Sequence, residues 1–155
     1  MIEKYDLSFL NLNKVKQILL SSYSHEHGLI TQGKSSFNAA PPILIDPKLN
    51  FLNVIIKKYV IIYCDKYNIP KLKLINSWFN ISYPGNKLKP HKHEDSIVSG
   101  AFYISVGQNS VPLIFPETEI KPYSGLLCIF SSNLVHYTEE EKEERMVISF
   151  NTNYL

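Results

Sequence analysis

Five histidines are few for a chain of 155 residues, yet four of them stand in two pairs at alternating positions. Pro90-His91-Lys92-His93-Glu94-Asp95 is the densest group of metal-capable side chains. In an extended strand residues i and i+2 share a face, so His91 and His93 are expected to project side by side toward one ion, with Asp95 on the same face. A third ligand has to come from elsewhere. His136 qualifies, because it follows a hydrophobic stretch and the turn-like Ser131-Ser132-Asn133, the place of a residue at a strand end facing a barrel mouth. A pair of this kind plus a distant histidine is the facial arrangement that leaves three positions of iron(II) open for a cosubstrate and oxygen. The other pair, His25 and His27, lies between a helix end and Gly28 with no third partner suggested, and reads as solvated.

Nine residues beyond His136, Arg145 opens Arg145-Met146-Val147-Ile148-Ser149-Phe150-Asn151, a clean strand pattern. An arginine entering a barrel interior is costly unless it meets an anion, and its planar fork suits a carboxylate. Two partners fit equally well by spacing. One is a dicarboxylate cosubstrate whose other end chelates the metal; the other is a salt bridge with a residue of Glu139 to Glu144.

The elements that must position these groups fall into two parts. Leu12, Val15, Ile18 and Leu19 recur at helical spacing, with Asn11 or Asn13 as the candidate N-cap. Asp46 and Pro47 announce a second helix carrying Leu49, Leu52, Ile55, Ile56, Tyr59 and Tyr63, which ends before Asn68-Ile69-Pro70. Between them, Ile30 to Pro42 reads mostly as loop with a short edge strand. After Pro70, β-branched and aromatic residues alternate with polar ones, and strands are expected near Leu72–Tyr83, His91–Asp95, Val98–Val106, Pro112–Phe115, Gly125–Phe130, Leu134–Tyr137 and Arg145–Asn151. Short strands without intervening helices argue for a sandwich or jelly-roll barrel, with the helices packed outside. The chain is read as one domain over residues 1–155, with a helical part (1–70) and a β-barrel (71–155).

Composition is that of a globular protein, with 45% hydrophobic and 19% charged residues. A net charge of +2 is too small to drive binding to polyanions. Lys57, Lys58, Lys66, Lys71 and Lys73, interleaved with Tyr59, Tyr63 and Tyr67, read as a solvated helix face rather than a nucleic-acid surface. Cys64 and Cys128 suggest neither a disulfide framework nor a thiolate metal site. The polar start and the lack of a membrane-length apolar run are those expected of a cytoplasmic protein.

The sequence resembles the iron(II)- and 2-oxoglutarate-dependent oxygenases, in particular a compact bacterial and phage group with an H-x-H motif. The likeness runs over Trp78 to Gly85, Pro90 to His93, Ser99 to Ile104, Pro122 to Leu127, His136, and Arg145 to Asn151. Tyr83-Pro84-Gly85 followed by Lys89-Pro90-His91 is also similar to the segment before the first iron histidine of prolyl 4-hydroxylases. The resemblance implies a mainly β fold, a double-stranded β-helix (cupin-like jelly roll) with N-terminal helices. It implies iron(II) on His91 and His136, Arg145 on the far carboxylate of 2-oxoglutarate, and hydroxylation of a small molecule or a peptide side chain by O2 with release of succinate and CO2. The chain departs from the wider family in having His93 where a carboxylate is usual and Val147 where a serine is usual. The expected ligand set is His91, His93 and His136, with His93 and Asp95 as the alternative pair. Tyr103 and Asn80 are candidates for polar contacts to the cosubstrate. Two alternatives stay open: a cupin-like three-histidine enzyme that does not use 2-oxoglutarate, and a non-catalytic barrel. Neither the substrate nor the oligomeric state is written in the sequence.

Overall fold

The structure is a computed structural model that describes residues 1–22, 25–27, 30–38 and 41–155, with side chains described for 1–22, 33–38 and 41–155. In chain order the elements are β1 (Ile2–Asp6), α1 (Leu12–Leu20), β2 (His25–His27), β3 (Ile30–Ser35), α2 (Asn50–Tyr67), β4 (Leu72–Ser82), β5 (Val98–Val106), β6 (Leu113–Phe115), β7 (Thr118–Ile120), β8 (Leu126–Ser131) and β9 (Arg145–Tyr154). Seven strands form one antiparallel sheet in the order β1-β8-β5-β9-β4-β3-β2. Opposite it lies a small sheet of β6 and β7, extended by two single-residue bridges, Ile114 with Tyr137 and His136 with His91. Two facing antiparallel sheets of this kind make the expected jelly roll, the double-stranded β-helix.

Strand alternation sends each face of the large sheet to a different core. Phe79, Ile81, Phe102, Ile104, Leu127, Ile129, Met146 and Ile148 pack against the helices, which contribute Val15, Leu19, Leu52, Ile56, Val60 and Tyr63. Ala101, Tyr103, Leu126, Cys128, Phe130 and Val147 face the small sheet and its Leu113, Phe115 and Ile120. The functional residues sit on this second face, between the sheets.

The first helix begins after its capping residue, and the second begins three residues later than expected, at Asn50. The Asn11 side chain accepts from the Lys14 N–H at 3.0 Å. Asp46 accepts from the Lys48 N–H at 2.9 Å and opens a 3-10 turn, Pro47–Leu49, that runs into α2. The end of α2 is closed by Asn68 in the left-handed region, with the Ile69 N–H on the Cys64 carbonyl at 2.9 Å.

Three expectations change. The strand placed at His91–Asp95 is not one: only His91 bridges, and the chain then turns, with the Ser96 N–H on the His93 carbonyl at 3.2 Å. The strand placed at Leu134–Tyr137 reduces to the bridges at His136 and Tyr137. The N-terminal part is more than helical, because β1, β2 and β3 flank the large sheet on both sides. The side chains of His25 and His27 lie outside the described residues.

Candidate metal centre

His91 and His136 are brought together by the small sheet. They form a mutual backbone bridge, with the His91 N–H on the His136 carbonyl at 3.2 Å and the His136 N–H on the His91 carbonyl at 2.9 Å. His93 arrives by a different route from the one its spacing suggested. Its N–H donates to the Ser132 carbonyl at 2.9 Å, which ties the turn after His91 to the end of β8. The nitrogens that the three imidazoles offer all lie within 4.8 Å of one another, close enough to share one ion. Among the described residues this is the one such cluster. Asp95 borders the same cavity but is exposed and outside the cluster.

Tautomer and charge are set by the surroundings. Nδ1 of His91 lies 2.8 Å from the Lys89 carbonyl, and Nδ1 of His136 lies 2.9 Å from the Leu134 carbonyl. A carbonyl can only accept, so both Nδ1 atoms carry the proton and both Nε2 lone pairs are left for a metal. His136 is only 4% exposed, and its pKa is pushed down to about 3 by burial and then by the nearby His91. Burial, followed by His91, lowers His93 to about 4. His91 is also held below its ordinary value by burial, against the raising effect of the Lys89 carbonyl. At neutral pH all three rings are neutral ligands. Phe130 and Phe115 pack beside His136, with ring centres 4.8 and 5.9 Å away, and Trp78 stands 6.0 Å from His93.

The histidines line a cavity of about 380 Å³ between the sheets. Arg145, 5% exposed, lines the same cavity from the start of β9, where it pairs in register with Ser82 of β4 and Val106 of β5. Its Nη1 donates to the Val111 carbonyl at 3.1 Å and is ion-paired with Glu141 at 2.8 Å. Both partners expected for Arg145 are therefore in play: the protein supplies one carboxylate, and the guanidinium still borders the cavity. Its Nε is buried without a hydrogen-bond partner. An orphaned buried donor of this kind fits an absent anion.

Tyr103 is buried on the cavity wall, and the guanidinium of Arg145 sits 6.0 Å from its ring centre. Burial raises the Tyr103 pKa, so the phenol keeps its proton as a donor. Asn80 also borders the cavity, but its amide, oriented to satisfy its neighbours, donates to Ser35 Oγ (2.7 Å) and accepts from Trp78 Nε1 (3.3 Å). Sequence reasoning missed Trp78 as a site residue and did not single out Glu141 within the run Glu139 to Glu144. Trp78 lies on the same strand face as Asn80, two residues away, and that signal was present.

The residues fit an iron centre, since three neutral imidazoles are borderline donors that suit iron, although zinc, nickel and copper accept the same set. Comparison with known proteins narrows the field. Residues 76–119, which include His91, His93, Tyr103 and Asn80, match the family model described as "Putative 2OG-Fe(II) oxygenase". The match covers less than a third of the chain and ends before His136 and Arg145. That family consists of oxidoreductases whose cofactors are iron and 2-oxoglutarate, and the resemblance read from the sequence is borne out.

Solved structures of 2OG-Fe(II) oxygenases superpose over nearly the whole chain. The viral collagen prolyl hydroxylase of Paramecium Bursaria Chlorella virus-1, solved with 2-oxoglutarate, is 15% identical, with a TM-score of 0.70 over 99% of this chain and 96% of that one. The prolyl-4-hydroxylase of Pseudomonas putida is 13% identical, with a TM-score of 0.68 over 99% and 92%. HygX of Streptomyces hygroscopicus, solved with nickel, 2-oxoglutarate and hygromycin B, is 12% identical, with a TM-score of 0.75 over 99% and 82%. At these identities the likeness is one of fold. No curated protein matches the sequence.

Proposed function

We propose that this protein is an iron(II)- and 2-oxoglutarate-dependent dioxygenase whose metal ligands are His91, His93 and His136. The observation that carries the proposal is the convergence of three neutral imidazoles on a cavity that is also lined by a buried arginine with an unpaired N–H. Metal and distal carboxylate thus have separate places in one cavity. When bound, iron with 2-oxoglutarate supplies oxygen activation: the cosubstrate becomes succinate and CO2, one oxygen atom enters the succinate, and the other hydroxylates a substrate C–H bond. The protein's own contribution is positioning. The carbonyls of Lys89 and Leu134 aim Nε2 of His91 and His136, Tyr103 offers a protonated phenol beside Arg145, and Phe115 and Phe130 keep water from His136.

The substrate is read as a small molecule or a peptide side chain, held against the cavity wall that Trp78 and Phe37 form with rings meeting edge-on at 4.8 Å. The neighbours named above as acting on collagen or carrying hygromycin B span both classes.

One observation favours a second reading. The Arg145–Glu141 pair already gives the arginine a counter-charge, as a three-histidine enzyme that does without 2-oxoglutarate would require. Turnover separates the two. Protein loaded with iron(II) in air should convert 2-oxoglutarate to succinate slowly even without substrate, and this should disappear in His136→Ala. Unchanged 2-oxoglutarate after long incubation, with iron bound, would favour the second reading.

A further inference from the structure

The acidic run Glu139 to Glu144 looks like a solvated loop, and Glu139, Glu140 and Glu144 are exposed. Glu141 is not: it is 2% exposed, and its carboxylate is enclosed by the protein. Oε1 accepts from the Val111 N–H at 3.1 Å and from the Lys142 N–H at 3.0 Å, while Oε2 faces Arg145 Nη1 at 2.8 Å. Its backbone is fastened as firmly. The Glu141 N–H donates to the Asn86 carbonyl at 2.7 Å, and its own carbonyl accepts from the Gly85 N–H at 2.8 Å. Gly85 takes a φ of +88°, which few other residues tolerate, and so forms the turn that leads toward the first metal histidine. Three segments therefore meet at one residue: the turn before His91 on its backbone, and the loop before β6 and the start of β9 on its carboxylate.

A buried ion pair is a poor stabiliser compared with an apolar substitute, so its presence beside the site calls for another role. Its geometry supplies one. Nη1 donates to Val111 and lies against Glu141 Oε2 as an ion pair, which leaves Nε buried and unpaired. We propose that Glu141 is a positioning residue that clamps Arg145 by Nη1, so that the remaining edge of the guanidinium is held ready for the far carboxylate of 2-oxoglutarate. This rests on the proposed 2-oxoglutarate dependence. Charge alone predicts the opposite effect, because a carboxylate beside Arg145 repels an incoming dianion. Pre-organisation outweighs that repulsion here, since two backbone N–H groups already hold Oε1 and the guanidinium lies against Oε2 as an ion pair without a hydrogen bond.

The test is an anaerobic titration of the iron(II)-loaded full chain, read by the visible charge-transfer band that a chelating 2-oxo acid produces. Two ligands are used: 2-oxoglutarate, and 2-oxopentanoate, in which a methyl group replaces the far carboxylate. In Glu141→Gln the amide can face Nη1 with its oxygen only by turning its N–H groups on the Val111 and Lys142 donors. The dissociation constant for 2-oxoglutarate should rise about tenfold, as is typical when an outer partner of a ligating group is lost. That for 2-oxopentanoate should not move. Glu141→Asp keeps the charge but withdraws it from Nη1, and should give the same selective loss. Equal or tighter 2-oxoglutarate binding in either variant, or equal weakening of both ligands, would overturn the assignment. A wild-type protein that binds iron yet gives no band with 2-oxoglutarate would instead remove the proposed function, and this assignment with it.

Discussion

His93 stands where the wider family has a carboxylate, and that single exchange decides what the centre can tolerate. A site of three neutral imidazoles carries the full charge of its metal, whereas a carboxylate ligand would cancel part of it. Ligand roles can be tested one side chain at a time. Alanine at His91, His93 or His136 should weaken iron(II) binding by more than about 100-fold, beyond the loss usual for outer partners. Asp95→Asn should leave the affinity unchanged, because Asp95 is exposed and outside the cluster. His93→Asp should retain iron, since it restores the H-x-D pair. Competition with a metallochromic chelator reads all three; loss of iron in Asp95→Asn with none in His93→Ala would exchange the two roles. At this scale the sequence was informative. The three histidines and Arg145 were legible because each needs a special reason to stand where it does. Glu141 was not, since one buried glutamate among five in a six-residue run looks no different from its solvated neighbours.

The elements show that the histidines converge by a route other than the one their spacing suggested. His91 and His93 were placed on a strand, but a bridge and a turn bring them together, and only His91 is in the small sheet. Strand β5 matches its expected range, Val98–Val106, because it is buried along most of its length and rich in β-branched and aromatic residues. Strand β1 was missed because Ile2-Glu3-Lys4-Tyr5-Asp6 is a half-exposed edge, with polar groups that look like a tail. Those polar groups hold it in place: Glu3 accepts from Tyr67 (2.5 Å) and Lys66 (2.7 Å) on α2. Bonds to Lys66 and then Tyr67 hold the Glu3 pKa below the ordinary carboxylate value. A carboxylate with a lowered pKa in the folded state adds stability above its unfolded pKa, and that stability is lost as pH falls through the folded one. Glu3→Gln should therefore cost stability near neutral pH and nothing in strong acid, and parallel urea titrations would show the two curves converging. A constant difference at every pH would mean that the clasp is not ionic. Gly100 offers a packing test, since a Cβ there would run into the Phe150 ring. Gly100→Ala should lower the stability by about 1–3 kcal/mol in urea denaturation; an unchanged midpoint would mean that Phe150 can step aside at no cost.

Helices on one face of the large sheet and a small sheet on the other leave a cavity of about 380 Å³ bordered by both the histidines and Arg145. The tyrosine and lysine pattern of α2 has become part of that scaffold. Tyr63 is fully buried with its hydroxyl on the Met1 carbonyl at 2.9 Å, so it is no stacking platform for nucleic acid. Among the described residues no helix is long and apolar enough to cross a membrane. Iron(II) and 2-oxoglutarate each bind only the folded chain in this account, so together they should raise the melting temperature. A ligand at 100 times its dissociation constant adds about 2.7 kcal/mol. Differential scanning fluorimetry with manganese in place of iron would show it, and an additional shift from 2-oxoglutarate only when metal is present is the expected pattern. The central claim is that one cavity places a metal on three histidines and a carboxylate on Arg145. A crystal structure of the metal-loaded protein with 2-oxoglutarate, grown without oxygen, tests it most directly. The account predicts the metal on His91, His93 and His136, chelated by the 2-oxo acid end, with the far carboxylate on Arg145 and Glu141 still behind the guanidinium. Metal on Asp95 in place of His93, or a cosubstrate that leaves Arg145 facing only Glu141, would contradict it.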